Sequence, residues 1–247
     1  MSVESPISRE KLGIYLKALG KRFRKLNGTK TPAEIILIGG ASILLNYGFR
    51  DVTYDADAII VASSVMKEAI NYVRDEFKLP KEWLNEGFKK TGSFSKRLVE
   101  VSIYYKEFSN ILTVRTITSE YLIAMKAMSG RQYKYDLSDI VGILWEHEKN
   151  GAPITREYVD NAIISLYGTK PLPMASLQLL DSVFTHGNYE MLYSEIREKE
   201  KEAKSLLLEF DKSNPGELKG DSINNIIELM RERKKNPPHI DNKTPKE

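Results

Sequence analysis

The chain has no cysteine among its 247 residues. Disulfides, thiolate zinc sites and cysteine nucleophiles are thereby excluded, and a reducing, cytoplasmic setting is the simplest expectation. Histidine is scarce: His147, His186 and His239 have no metal-ligand spacing with one another, and no Ser-centred nucleophile motif is present. Zinc-hydrolase and serine-hydrolase chemistry therefore find no support. No apolar run is long enough to span a bilayer, and the opening MSVESPISREKLG lacks the basic and apolar stretches of a secretion signal, so no membrane partner is expected. Charge of one sign is not in excess. Charged residues form 29% of the chain but balance to only +3, so any contact with nucleic acid has to be local rather than driven by net charge. A hydrophobic content of 41% is enough for the core of one large domain or two small ones.

Leu12, Tyr15, Leu16, Leu19, Phe23 and Leu26 recur at helical spacing and stop at Asn27-Gly28, which predicts an amphipathic helix over 8–26. Glu34 to Ile38 is too short and too β-branched for a helix and ends on Gly39-Gly40, as a central strand would; a helix over 41–46 follows. Thr53 to Val61 reads as a second strand, with Ser64 as the cap of a helix reaching about Phe77. A short helix and loop are expected over 80–90, a polar turn at 91–95, and strands around 98–105 and 111–115. After Ser119 every pattern is helical: 121–129, 136–149, 155–166, 174–185, 189–210 and 222–233. The expectation is an α+β protein with a small mixed sheet and a helical carboxyl-terminal region. Its core domain would span 1–118, a helical domain 119–235 would pack on it, and a disordered tail would fill 236–247.

Chemistry concentrates in IILIGGASILLNYGFRDVTYDADAIIV, residues 35–61. Strand side chains alternate faces, so Asp55 and Asp57 would project from one side of the second strand and share a cation. Gly39 and Gly40 at a helix start let backbone N–H groups approach a phosphate, where the helix dipole favours negative charge. Should the two pairs meet, a nucleoside triphosphate would rest on the glycines while the aspartates hold magnesium against it. A plain turn also explains the glycine pair, and solvation at a sheet edge also explains the aspartates.

Ile38-Gly39-Gly40 followed by Asp55-Ala56-Asp57-Ala58 resembles the signature of the nucleotidyltransferase superfamily with the DNA polymerase β-like fold. A second block, Tyr121 to Lys126 through Gly130-Arg131 to Asp136 and Asp139, is similar to the helical motif of the AbiEii-type and MenT-type toxin branch. The resemblance covers roughly residues 34–141. It implies a small twisted sheet backed by helices, with magnesium as cofactor and a nucleoside triphosphate as substrate. In the toxin branch it also implies an RNA acceptor, notably the 3′ end of transfer RNA, and a cognate antitoxin protein as partner. It assigns catalytic roles to Asp55, Asp57, Lys126, and Asp136 or Asp139. Nucleotide contacts fall to Gly39, Gly40, Arg50, Thr53, Lys126 and Arg131, with Lys126 at the triphosphate. The wider superfamily has a third carboxylate on a later strand, and Glu100 is the residue here that matches, beside Asp55 and Asp57, as a metal ligand.

Each of these residues also has a plainer reading. Lys126 can lay its stem along the core with its ammonium in water, Arg131 can pair with Asp136, Asp136 can cap a helix, and Glu100 can face solvent. Thr53 suits any strand. Lys21, Arg22, Arg24 and Lys25 form a basic cluster late in the first helix, and Tyr54, Tyr104, Tyr105, Tyr133 and Tyr135 offer faces on which bases can stack. The run Arg197 to Lys204 reads as an exposed helix laced by i,i+4 pairs. The leading expectation is a magnesium-dependent nucleotidyltransferase acting on transfer RNA; the alternative is a non-catalytic member that binds nucleotide, RNA or a partner protein.

Overall fold

A computed structural model describes residues 6–29, 31–218 and 223–235. Its first helix, α1 (Arg9–Asn27), begins where the Ser8 hydroxyl accepts from the Lys11 N–H and ends at Gly28, whose φ of 68° turns the chain away. Leu12, Leu16, Leu19 and Phe23 bury one stripe of it completely. The central strand, β2 (Ala33–Leu37), is buried on both faces. Ile35 and Leu37 enter one apolar cluster, while Ile36 and the adjoining Ile38 enter another. β4 (Ala56–Val61) lies antiparallel to it, Ile36 opposite Ile59 and Leu37 opposite Ala58, and repeats the alternation: Ala56 and Ala58 join the first cluster, Ile59 the second.

β7 (Leu112–Ile117) runs parallel to β2, β6 (Ser102–Phe108) antiparallel to β7, and the two-residue β5 (Leu84–Asn85) parallel to β4. The five strands form a mixed sheet in the order β5-β4-β2-β7-β6. A separate ribbon pairs β1 (Ile7–Ser8) with β3 (Val52–Thr53). One face of the sheet is covered by α1 and α3 (Met66–Phe77). The other is covered by α4 (Ser119–Ser129), α5 (Asp136–Lys149), α6 (Arg156–Tyr167) and α7 (Met174–His186). α2 (Gly39–Asn46) contributes to both clusters, α8 (Tyr189–Ser213) packs on α5, and α9 (Ile223–Lys235) packs on α8. The α+β class with a small mixed sheet and helical second half is as the sequence predicts.

Four local expectations are corrected. The second strand is not continuous over 53–61: the chain bends at Tyr54-Asp55, because β3 pairs with β1 while β4 pairs with β2 and β5. Asp55 therefore lies in the bend and Asp57 in the strand. Ser64 is not a side-chain cap; Val65 occupies that position, and the carbonyls of Ser63 and Ser64 accept from Met66 and Lys67. The short helix expected within 80–90 is a 3-10 helix confined to Gly87–Lys90, and the strand β5 stands before it where a loop was expected. The strand expected from Leu98 starts at Ser102, since Lys96–Leu98 form a 3-10 turn and the N–H groups of Glu100 and Val101 both donate to the Arg97 carbonyl. The expected tail at 236–247 lies outside the described residues.

Candidate active site

β2 and β4 are antiparallel neighbours, so the end of one lies beside the start of the other. The Ile38 N–H donates to the Asp57 carbonyl at 3.0 Å, and α2 departs from this point. Gly39 there has φ 52°, left-handed backbone that glycine adopts with least strain. Gly40 is packed closely: a Cβ would stand 2.8 Å from an Arg50 guanidinium nitrogen and 2.9 Å from the Thr53 hydroxyl, so a side chain here displaces both. Asp57 shares the strand parity of Ile59 and faces the side of the sheet covered by α4 to α7. A cleft of about 370 Å³ opens where these elements meet. It brings Gly39, Gly40, Asp55 and Asp57 together with Lys126, Arg131 and Asp136 of the α4–α5 region, and with Lys204 of α8. Arg50 and Thr53 also line it, as do Tyr54, Tyr133 and Tyr135.

Behind the cleft wall lies a buried ion network. Lys126 Nζ sits 2.8 Å from an oxygen of Asp136 and 2.8 Å from one of Asp139. Arg50 approaches Asp139 at 2.6 Å, and Arg131 holds Asp136 through Nε at 2.8 Å and through its own backbone N–H at 3.2 Å. Asp136 and Asp139 are almost wholly buried, and Asp139 is not among the cleft-lining residues. Burial alone would raise the Asp136 pKa, but Lys126 and Arg131 outweigh it and hold the carboxyl below its usual range. Burial would likewise lower the pKa of the Lys126 ammonium; Asp136 and Asp139 reverse the sign, so it stays charged. Lys126 thus differs from a surface lysine: its head is inside, bridging two carboxylates. Asp136 is the first residue of α5 rather than its cap, which is Tyr135 at φ 61°.

Glu100 is not part of this arrangement. Its turn leaves it exposed beside Arg97, 3.8 Å away, and it does not line the cleft. The assignment of Glu100 as a third ligand on a strand is corrected on that geometry. Among the described residues no group of three or more His, Cys, Asp or Glu side chains is placed to hold a metal. The acid pair is therefore Asp55 and Asp57. Asp57 has a raised pKa, first because it is buried and second because Asp55 stands beside it. Two hard oxygen donors that repel each other fit a magnesium ion, which commonly takes one or two carboxylates and fills its other positions with water and substrate phosphate. Apart from the acid pair, cations outnumber acids along the cleft: Arg50, Lys126, Arg131, Lys134 and Lys204 stand against Asp136 and Glu82. Acids at one place and a cationic wall at another suit a polyphosphate that binds together with a cation.

One buried side chain that supports the site was not foreseen. Glu200 lies within the charged run expected to be exposed, yet it is 1% exposed. It accepts from the N–H groups of Leu137 and Ser138 at 3.0 and 3.2 Å and from the Ser138 hydroxyl, and so caps α5 from a neighbouring helix. Ile196, Glu200, Ala203 and Leu207 share the buried stripe of α8, and that i, i+4, i+7, i+11 spacing was the available signal. Burial pushes the Glu200 carboxyl up to about 7 despite the Ser138 donors. Between its ordinary value of 4.5 and about 7 the folded chain keeps a proton that the unfolded chain has released, so stability falls as pH rises through this window. The slope is at most about 1.4 kcal/mol per pH unit. Urea melts across the window are expected to show Glu200→Gln flattening this dependence; an unchanged slope would place its source elsewhere.

No curated protein and no solved structure matches the chain. A family defined by its sequence pattern does, over a stretch that begins in α1, contains both glycines and both acids of the cleft, and ends within α5. Residues 15–144 match the family described as "Nucleotidyltransferase of unknown function (DUF6036)", and with more than half its length in that match the chain belongs to this family.

Proposed function

We propose that the protein is a magnesium-dependent nucleotidyltransferase that moves a nucleotide from a nucleoside triphosphate to an acceptor hydroxyl and releases pyrophosphate. The observation that carries this reading is the convergence, in one cleft, of Asp55 and Asp57, the start of α2 and a cationic wall. The triphosphate lies across Gly39 and Gly40, where backbone N–H groups at the helix start face it. Arg131 and Lys134, near enough to Asp57 to act on its charge, face the phosphates. Lys126 acts from within its ion network, fixing Asp136 and through it Arg131, rather than as a free ammonium. Arg50 does the same at Asp139 while closing over Gly40. Magnesium held by Asp55 and Asp57 would neutralise charge on the phosphates and on departing pyrophosphate. In-line attack forms the bond from acceptor oxygen to α-phosphorus as the bond from α-phosphorus to the bridging oxygen breaks, with the hydroxyl proton passing to solvent and pyrophosphate leaving.

The acceptor we favour is an RNA 3′ end, with transfer RNA first, as in the toxin branch that the Lys126 to Asp139 block resembles; a cognate antitoxin would be the partner in that case. A non-catalytic role in binding nucleotide or RNA draws on a different observation, the lack of a third acid beside Asp55 and Asp57 among the described residues. One experiment separates the two. The full chain is incubated with each α-labelled nucleoside triphosphate, magnesium and total RNA, and label in RNA and free pyrophosphate are both measured. Label transfer with pyrophosphate release is expected. Magnesium-dependent nucleotide binding without transfer would establish the non-catalytic reading, and neither binding nor transfer would overturn both.

A further inference from the structure

We propose that a groove between α1 and α3, on the opposite face of the sheet from the cleft, binds single-stranded RNA along its phosphate backbone. Lys17, Lys21 and Lys25 stand at i, i+4 and i+8 on α1, so their ammonium groups form a row at steps of ~6 Å along the helix axis. All three are exposed, line a groove of about 490 Å³, and form no ion pair with a described residue. By contrast, Lys201 of α8 is paired with Glu198, and Lys234 of α9 with Glu209. Three like charges in a row repel one another, and the groove sets only Glu76 against them. Arg22 adds a fourth cation: one terminal nitrogen meets Glu68 at 3.3 Å, but its buried Nε has no hydrogen-bond partner.

The groove also carries aromatic surface. Tyr72 is 45% exposed, with the Arg22 guanidinium 4.2 Å from its ring centre, and Phe77 lies further along α3. Ile14 is 47% exposed beside them. A cation row that tracks a polyanion beside an exposed tyrosine, one face of which carries Arg22 while the rest of the ring meets solvent, is the combination that unpaired nucleic acid uses, since stacking needs bases outside a duplex. An acidic peptide would match the lysines but has no use for the rings. RNA rather than DNA rests on the acceptor proposed above. None of the residues lining this groove lines the cleft.

The test is fluorescence anisotropy of a labelled single-stranded RNA of about 12 nucleotides, with neither nucleoside triphosphate nor divalent cation present. Its failure is therefore distinct from failure of nucleotidyl transfer. Binding by the parent should weaken with salt, and the triple variant Lys17→Ala/Lys21→Ala/Lys25→Ala should lower the slope of log affinity against log salt by about 2, at ~0.7 per lost phosphate contact. Tyr72→Ala is expected to weaken binding about tenfold with little change in slope. All four positions are exposed, and circular dichroism would confirm that the variants fold. The proposal falls if the triple variant binds like the parent, or if polyglutamate displaces the probe as well as unlabelled RNA does, which would assign the groove to an acidic protein segment.

Discussion

Under the proposed mechanism Asp57→Asn is expected to lower nucleotidyl transfer by ~10³-fold, because losing one of the two carboxylates proposed to hold the cation would remove several kcal/mol of charge stabilisation, and each 1.4 kcal/mol is tenfold. The same substitution should leave the fold at least as stable as the parent. Asp57 has a raised pKa from burial and from Asp55. Above its ordinary value the unfolded chain releases a proton that the folded chain holds more tightly, so the ionised group opposes folding as pH rises. A neutral amide of nearly the same shape removes that opposition. Steady-state transfer assays paired with thermal melts at neutral pH would read both quantities. Loss of activity together with a large loss of stability would mean that Asp57 is structural, and full activity in the variant would end the assignment of this cleft as the reaction site.

The second large effect is on stability. Asp136→Asn is expected to cost about 3 kcal/mol, because buried Lys126 would then share Asp139 with Arg50, two cations against one carboxylate, while the partly exposed Arg131 turns to water. Lys126→Met should cost less: without the lysine, Asp136 keeps Arg131 and Asp139 keeps Arg50. Since these side chains form one network, the double variant should lose less than the sum of the two. The sign with pH is the reverse of that at Glu200. The Asp136 carboxyl is held below its ordinary value of 3.8, so its contribution is complete above that pH and is lost as pH falls further. The parent should accordingly lose stability to acid below about pH 4, and Asp136→Asn should lose less of what it has left. Denaturant melts of the parent and the three variants would order these costs; a lysine loss greater than the aspartate loss would contradict the network as described.

The long elements were legible because each carries either a helical periodicity or an apolar run too long for a strand. α1, α6 and α8 bury residues at helical spacing, α4 and α5 are long apolar runs buried nearly all round, and the observed limits of these helices fall within a few residues of those read from the sequence. β2 was legible for the opposite reason, since four apolar residues before two glycines leave little room for another reading. What the sequence concealed depends on partners distant along the chain. The bend at Tyr54-Asp55 exists because two strands take different neighbours, and nothing within Thr53 to Val61 announces the change. β5 is two residues long and owes its form to β4.

The same distinction applies to the candidate site. The meeting of the glycine pair with the acid pair follows from antiparallel neighbours, a short-range consequence of the stretch 35–61. Glu100 sat in an alternating run that suggested a strand, but the local 3-10 turn displaced it. The position of the Lys126 ammonium depends on Asp136 and Asp139 of the next helix and was invisible in the apolar run that precedes it. Glu200 was hidden by its neighbours, since seven of the eight residues from Arg197 to Lys204 are charged and only the helical phase of Ile196, Ala203 and Leu207 marks it as inward.

The cap that Glu200 provides has a consequence for how the molecule is divided. The stretch that matches the nucleotidyltransferase family stops at residue 144, but the carboxylate that satisfies the start of α5 and the lysine at the cleft beside Tyr54 both belong to α8. A fragment trimmed to the recognisable stretch would keep the two acids and both glycines, yet its helix bearing Asp136 and Asp139 would begin on unsatisfied amides. Recognition of the family and self-sufficiency of the candidate site therefore have different borders along this polypeptide.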